Sequence, residues 1–312
     1  MSESTAPAWL DDLGLGVDGP PWLSMGLSRV DSNRWLLPDE HRVRELAERH
    51  RLLADHHDDV FSASPDSEHA GREALSLIRA WFAEHRPDIG LPRDPAGVHP
   101  LEAAGRLVQE DLCLMLRHGD VHHLDAACLC FPSHWRLADK IGRPTAEVHG
   151  PVPGYAEELG PRVDRYLDRL RPGSGAERRN WSVHEAPDLF APWPGEPRQL
   201  EVGDVATGLW LRSERQTLRR LPDTDAVLFT IRVQQVPLGA LAHRPDVARR
   251  LAARLAAQPA ELTAMNGLAP HRDVVLAWLT EVSGEDRRPM RPRSPSSGIQ
   301  SRLSASPPRQ SG

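Results

Sequence analysis

The second half of the chain contains two long segments with the composition of β-strands, separated by a short turn sequence. The first, Gly208 to Leu221, reads GLWLRSERQTLRRL, and the second, Ala226 to Val236, reads AVLFTIRVQQV. The residues between them, PDTD, favour a turn, because proline presets φ and aspartate hydrogen-bonds its own backbone. Strands joined by so short a connection pair as antiparallel neighbours. The sequence therefore predicts a β-hairpin here.

Two further strands and several helices are predicted around the hairpin. RRNWSVHE, from Arg178 to Glu185, is predicted to be a strand, as is VHHLDAACLCF, which follows Asp120. The helices are predicted from stripes of apolar residues at helical spacing and from residues typical of helix ends. They run from Asp39 to about His56, from Ser67 to His85, from about Leu101 to His118, from Gly160 to a stop at Pro172, from Pro245 to Ala257, and from Pro270 to Val282. This mixture indicates the α+β class.

The two ends of the chain have compositions that do not favour a packed core. Residues 1–20 are predicted to be a flexible leader, and residues 284–312 consist largely of Pro, Ser, Arg, Gly and Gln. Such a tail buries too little apolar surface to offset its conformational entropy, so it is predicted to be disordered. The folded domain is expected to span residues 21–283.

Charge, cysteine content and hydropathy argue against several classes of protein. The net charge is −6 and basic residues form no long stripe in the predicted domain, so nucleic-acid binding is not expected. No stretch approaches the ~20 apolar residues of a membrane-spanning helix. The 3 cysteines, an odd number, favour reduced thiols. We expect a cytoplasmic protein.

One histidine, His149, precedes a rigid turn near the middle of the chain. The segment from Phe131 to Tyr155 reads FPSHWRLADKIGRPTAEVHGPVPGY. Pro151 and Pro153 fix their own φ and restrict the residue before each of them. A metal or haem ligand benefits from such a backbone, because a loosely held imidazole loses binding free energy as ordering entropy. His149 is therefore the leading candidate for a ligand, the alternative being a structural histidine.

Several blocks of the sequence together resemble the haem-dependent oxidative N-demethylase family. They are FPSHW, KIGRP and HGPVPGY in the segment just described, RRNW at 178–181 and ERQTLRRLP at 214–222. The blocks occur in the same order as in the family, between about Trp22 and Leu279. The resemblance implies a b-type haem in a PAS-like α+β domain, with helices around an antiparallel sheet. It also implies an enzyme that oxidises methylated amines.

The implied reaction sets requirements on the partners of the chain. Oxidative N-demethylation through haem and O₂ consumes reducing equivalents and converts a small secondary methylamine into a primary amine, formaldehyde and water. The chain has neither a Gly-rich dinucleotide fingerprint nor an iron–sulfur motif. The electrons are therefore expected from a separate reductase of the flavin and iron–sulfur type.

The block ERQTLRRLP supplies three candidate site residues. On a strand, Glu214 faces one way, whereas Arg215 and Arg219 face the other. Because arginine pairs with carboxylates in a bidentate manner, one of these arginines is assigned to a haem propionate. Glu214 is assigned to catalysis, either accepting a hydrogen bond from an ammonium substrate or carrying a proton. A buried ion pair or a solvated strand edge is the alternative for this block.

Four further residues complete the predicted site. His149 is assigned to the iron, and Tyr155 in the same motif and Asn180 in RRNW are assigned to the cofactor. Asp111 follows Glu110 in the helix predicted from about 101 to 118. The resemblance suggests that Asp111 points into the site as a catalytic residue. A solvated helix face is the alternative for Asp111.

Other functions also fit these residues. PAS-like domains often sense gases, redox state or metabolites, so a non-catalytic haem or small-ligand binding protein is the main alternative. An accessory subunit that has lost its cofactor is another. A histidine cluster at His118, His122 and His123 is a weaker zinc candidate, because Gly119 and Asp120 predict a helix end.

Overall fold

One antiparallel sheet organises the part of the chain that the computed structural model describes, residues 6–15, 25–150, 159–265 and 267–284. It has seven strands in the order β1-β5-β6-β7-β3-β4-β2. The strands are β1 (Ser28–Arg29), β2 (Phe61–Ala63), β3 (Asp111–His118), β4 (Val121–Cys128), β5 (Gly175–His184), β6 (Trp210–Arg220) and β7 (Val227–Pro237). Every neighbouring pair is antiparallel.

The predicted hairpin is confirmed and lies at the centre of the sheet. β6 and β7 pair along their whole length, from Trp210 opposite Pro237 to Arg220 opposite Val227. In the connecting turn, Asp225 has a φ of +58°, a left-handed conformation that aspartate adopts more readily than most residues. The strand predicted over RRNWSVHE is also confirmed, as β5.

Helices cover both faces of the sheet, which confirms the predicted α+β class. They are α1 (Arg42–Asp55), α2 (His57–Val60), α3 (Glu68–His85), α4 (Pro100–Gly105), α5 (Thr145–Val148), α6 (Gly160–Arg169), α7 (Val205–Gly208), α8 (Pro245–Ala257), α9 (Ala260–Met265) and α10 (Arg272–Ser283). Within the described ranges, no helix is long and apolar enough to cross a membrane.

The helix predicted from about Leu101 to His118 is wrong over most of its length. α4 ends at Gly105, and β3 begins at Asp111. The residues from Leu112 to Met115 are all buried, because β3 is a central strand with both faces covered. A continuous apolar run of this kind also satisfies a helical pattern, so periodicity alone cannot distinguish the two structures.

Part of the predicted leader packs against the core, in contrast to the prediction of flexibility. Leu10, Leu13 and Leu15 are buried in a cluster that includes residues of α8 and α10. Their apolar side chains provide the burial energy that a flexible segment lacks. The predicted C-terminal tail lies outside the described residues, apart from Gly284.

The sheet has two differently covered faces. Residues opposite each other on paired strands point to the same face, so Asn180, Glu214 and Val233 share one face, which we call the site face. α5 and α6 lie against it, with Val148 and Leu167 packed among its apolar residues. The opposite face, called the far face, packs against α3 and α4 near β3, and against α8 and α10 near β5 and β6.

The three cysteines are free and buried, as the odd count predicted. Cys113 lies on β3, Cys128 ends β4, and Cys130 follows it. α4 approaches β4 so closely that a Cβ on Gly105 would overlap the Cys128 side chain. This contact explains why a glycine ends α4.

Candidate functional site

A polar patch lies in the middle of the site face. Asn180 of β5 is directly opposite Glu214 of β6, and Arg178 is opposite Gln216 in the next row. All four side chains are half-buried. The Gln216 amide donates a hydrogen bond from Nε2 to Oε2 of Glu214, with 3.0 Å between the atoms. The patch therefore combines a carboxylate, two amides and a guanidinium on two neighbouring strands.

An apolar wall adjoins the polar patch. Ile231 and Val233 of β7, opposite Gln216 and Glu214, are buried on the site face. Val148, at the end of α5, packs into the same cluster. The site face thus changes from polar to apolar between β6 and β7, where the polar patch borders the buried core.

His149 directly follows α5 and lies on the same side of the sheet as the polar patch. Its Nδ1 is 2.8 Å from the carbonyl oxygen of Thr145. A carbonyl oxygen only accepts, so Nδ1 carries the proton and Nε2 is the unprotonated ring nitrogen. The helix is anchored in turn, because Thr145 donates from Oγ1 to the His122 carbonyl at 2.9 Å and Lys140 donates to the Val148 carbonyl.

The surroundings of His149 keep its imidazole neutral. Burial lowers the pKa of His149, the hydrogen bond to Thr145 acts in the opposite direction, and the charges of Lys140 and Arg178 lower the pKa further. A neutral imidazole is the form that binds a metal ion. Arg178 belongs to the polar patch, so its effect on this pKa shows that the charge of the patch acts on His149.

Arg212 holds two loops against β6, two residues from Glu214. It is fully buried and donates to the carbonyl oxygens of residues 131–132 and 188–189 over 2.7–3.2 Å. Burial lowers the pKa of Arg212 to about 10, although the charge of Glu214 acts in the opposite direction. Arg212 therefore stays charged at neutral pH and positions the loops beside the polar patch.

A stacked pair of histidines lies beside Arg212. The rings of His134 and His184 have centroids 4.3 Å apart, and Nε2 of His184 is 3.0 Å from Oγ of Ser182. Burial, the charge of Arg212 and the proximity of His134 lower the pKa of His184 to about 2. Burial likewise lowers the pKa of His134. Both imidazoles are therefore neutral at pH 7, and sequence reasoning did not identify either.

The structure does not bring Arg215 and Arg219 together with His149. Both arginines point to the far face, whereas His149 lies on the side of the site face. The Arg215 Nε is 2.6 Å from Oε2 of Glu177, and the Arg219 guanidinium lies 4.3 Å from the centre of the Trp35 ring. The ion-pair alternative therefore describes Arg215, and neither arginine faces the polar patch.

Asp111 is likewise engaged in a closed network rather than exposed to a site. Its carboxylate accepts from the backbone N–H groups of Cys130 and Phe131 at 2.8 and 3.0 Å. Arg49 completes the network at 3.0 Å, and both side chains are fully buried. Burial raises the pKa of Asp111, while Arg49 and the two backbone bonds oppose the rise. We therefore leave Asp111 out of the catalytic set.

Arg178 is the residue of the RRNW block that the sequence analysis missed. Arg179, its neighbour, turns to the far face and donates to Ser213 and Gln234 at 3.1 and 3.0 Å. Strand alternation contained the necessary signal, because Arg178 and Asn180 are two residues apart and so share a face. Tyr155, also assigned to the cofactor, lies outside the described residues.

No group of three or more His, Cys, Asp and Glu side chains is arranged to hold a metal ion among the described residues. Haem iron does not require such a group, because the macrocycle supplies most of its ligands and the protein adds axial ones. Over residues 88–276, the sequence matches the family described as haem-dependent oxidative N-demethylase, alpha subunit-like. The match covers more than half of the 312 residues. The chain belongs to this family.

The region shared with the demethylase-like family contains His149 and the whole polar patch. The residues present fit a haem by their chemistry. His149 has a neutral imidazole of the kind that ligates haem iron, and Arg178 has a charge opposite to that of a propionate, while Ile231 and Val233 belong to the buried core beside them. His149 and Arg178 are on one side of the sheet, and the charge of Arg178 acts on the imidazole.

Proposed function

We propose that the protein is a haem-dependent monooxygenase that oxidatively demethylates a small secondary methylamine. Membership of the demethylase-like family supports the reaction class. The observation that carries the proposal is His149, whose Nδ1 is held by Thr145 at 2.8 Å on the side of the sheet that carries Glu214. A neutral, oriented imidazole on the same side of the sheet as a carboxylate combines a haem ligand with a group that binds cations.

His149 would hold the iron of a b-type haem through Nε2. The backbone hydrogen bond of Nδ1 fixes the tautomer and the ring orientation, as bonds beyond the first ligand shell commonly do at metal sites. We assign Arg178 to a propionate in place of Arg215 and Arg219, and we keep Asn180 as a polar contact of the cofactor. When bound, the haem supplies the activation of O₂ for oxidation of the N-methyl group.

Glu214 is assigned to the amine. Gln216 occupies Oε2 of Glu214, so we assign Oε1 to the substrate nitrogen. A charge-assisted hydrogen bond from an ammonium group to a carboxylate is stronger than a neutral one, and it selects a cation over neutral molecules of the same shape. Glu214 also accepts the proton that the amine gives up before oxidation.

Electrons come from a separate reductase of the flavin and iron–sulfur type. The family is described as alpha subunit-like, which supports a chain that acts together with other subunits. Formaldehyde, the primary amine and water are the products of the proposed reaction.

The first test is an absorption spectrum of protein produced with added haem precursor. Wild type should bind haem in near-stoichiometric amount and show a Soret band. His149→Ala should lose the band or shift it, because the protein ligand is gone, whereas His69→Ala, which changes an exposed histidine, should resemble wild type. A Soret band identical in all three proteins would move the ligand away from His149.

The second test measures turnover with dimethylamine, O₂ and a competent reductase. Glu214→Gln should lower kcat/KM by about 10- to 100-fold, the value of one lost charged hydrogen bond, while its haem spectrum stays unchanged. Haem-loaded wild type that binds O₂ but never releases formaldehyde from any methylamine would favour the sensor instead.

A further inference from the structure

Three arginines form a stripe along the exposed side of α6. Arg162, Arg165 and Arg169 are spaced by three and four residues, so their side chains lie on one face of the helix. All three are exposed, and none of their guanidinium groups has a hydrogen-bond or ion-pair partner among the described residues. Arg165 and Arg169 are like charges four residues apart, an arrangement that destabilises a helix. This arginine stripe therefore carries three charges that no described residue neutralises.

The acidic residues of α6 interact with the sheet instead of with the arginine stripe. Asp168 pairs with Arg117 of β3, with 3.4 Å between the charged atoms. Asp164 is half-buried; burial raises its pKa, and the charge of His122 on β4 lowers it. Both carboxylates thus belong to another side of the helix, so the stripe keeps its positive charge.

α6 packs on the site face next to the polar patch. Leu167 of the helix is buried in a cluster against which Leu218 of β6 packs. Leu218 follows Gln216 of the patch by two residues, so both side chains point to the site face. The element that carries the arginine stripe therefore covers the same side of the sheet as the proposed haem site.

The end of α6 is attached to the sheet by a buried arginine. Arg220 of β6 donates from Nε to the carbonyl oxygen of Leu170 at 2.7 Å, and it also donates to the carbonyl oxygen of Leu167. The last carbonyl groups of a helix have no partner within the helix, so these two bonds satisfy groups that would otherwise need water. A helix fixed in this way reduces the ordering entropy that a binding partner must overcome.

The charge of the arginine stripe favours an acidic protein as its partner. The whole chain has a net charge of −6, so the stripe is a local patch of the opposite sign. Nucleic acids attract proteins with larger basic surfaces than one helix provides. The residues after 284 are richer in arginine than in acidic residues, so their charge does not complement the stripe.

We propose that the arginine stripe is the docking surface for the electron donor of the proposed reaction, an acidic iron–sulfur protein. The inference rests on the proposed function, in which each amine and O₂ consumed require two electrons and two protons. The sequence has no iron–sulfur motif, and the family is described as alpha subunit-like, so the donor is a separate chain. Redox partners meet through small interfaces, below about 1,200 Å², and complementary charge speeds their encounter and sets their orientation.

The test measures the binding of an acidic plant-type ferredoxin to the full chain by calorimetric titration, which requires no turnover. Wild type should bind the ferredoxin saturably at low ionic strength. The affinity should fall as sodium chloride is added, because salt screens exposed charges. One chain with Arg162→Gln, Arg165→Gln and Arg169→Gln together should bind with a Kd raised by about 3- to 100-fold.

The matched control removes three exposed arginines outside α6. A chain with Arg44→Gln, Arg93→Gln and Arg250→Gln changes the net charge by the same amount at exposed positions, and its Kd should stay within about twofold of the wild-type value. An equal loss of affinity in both triple variants would show that net charge governs binding, and it would overturn the proposal. A wild type that does not bind the ferredoxin would overturn it as well.

Two further measurements separate the other possible occupants of the arginine stripe. Self-association of wild type in sedimentation, absent from the α6 triple variant, would assign the stripe to a second copy of the chain. A DNA duplex that binds more tightly than the ferredoxin at equal ionic strength would assign it to nucleic acid. Either result would overturn the proposal. Wild type that demethylates an amine with a chemical reductant but does not bind the ferredoxin would remove the docking surface alone, so this failure is distinct from failure of the proposed function.

Discussion

Asp111 is a buried carboxylate that links three parts of the chain. It joins β3 to the segment after β4 through two backbone N–H groups, and it joins β3 to α1 through Arg49. Arg49 also lies 4.6 Å from the centre of the Phe131 ring. An ion pair of this kind adds little net stability as a whole, but removing one partner leaves an uncompensated charge in the interior.

We therefore expect Asp111→Asn to lower the free energy of unfolding by about 3–5 kcal/mol. Denaturant unfolding of the full chain measures the effect. The control is Asp55→Asn, which breaks an exposed pair with Arg51 at 3.5 Å and should cost less than about 1 kcal/mol. An Asp111→Asn protein as stable as wild type but without demethylase activity would restore Asp111 to the catalytic set.

At the scale of elements, β6 carries part of the polar patch and also holds the loops beside it. Glu214 belongs to the polar patch, and Arg212, on the same face, binds two loops beside it. Those loops, at 131–132 and 188–189, come from segments that are distant in sequence. A single guanidinium can hold them because its several N–H donors spread in a fixed fork.

Arg212→Lys should release these loops, because one ammonium group cannot reach all four carbonyl oxygens. We expect the free energy of unfolding to fall by about 2–4 kcal/mol, the cost of unsatisfied buried groups. Limited proteolysis should also cut faster between residues 186 and 199. Arg72→Lys, which changes an exposed pair with Glu68 on α3, provides the comparison. Cleavage at the wild-type rate in Arg212→Lys would contradict this role.

For the whole molecule, neutral histidines that are buried or half-buried link stability to pH. Burial lowers the pKa values of His99, His122, His134, His149 and His184. When a folded pKa is lowered, the folded protein excludes a proton that the unfolded chain takes up. The resulting stability is present above the unfolded pKa of about 6.5 and is lost as pH falls below it.

The effect should be largest for His184, whose pKa falls to about 2. Between pH 7 and pH 5, this residue alone should lower the free energy of unfolding by about 2 kcal/mol. Urea unfolding at the two pH values should show a smaller loss for His184→Gln than for wild type. His69→Gln, at an exposed position, should lose as much as wild type. An equal loss in all three proteins would show that His184 takes up a proton in the folded state.

Much of the fold was predictable from local patterns. The β6–β7 hairpin followed from its composition and the PDTD turn, and α6 followed from Pro161 at its first turn. β3 was not predictable in this way, because Leu112 to Met115 are apolar on both faces. Only the neighbours of a segment decide whether such a run is a buried strand or a buried helix.

The candidate site was likewise predictable only in part. Residue types predicted that His149 precedes a rigid turn, whose prolines lie outside the described residues, and alternation determined that Glu214 and Arg215 face opposite ways. Tertiary structure decided which face α5 covers, and so placed His149 with Glu214 and Arg178 rather than with Arg215 and Arg219. It also decided that Asp111 meets Arg49, a partner 62 positions earlier in the chain. Strand alternation and turns depend on residues that are neighbours in sequence. Which helix covers which face of the sheet depends on the packing of the whole chain.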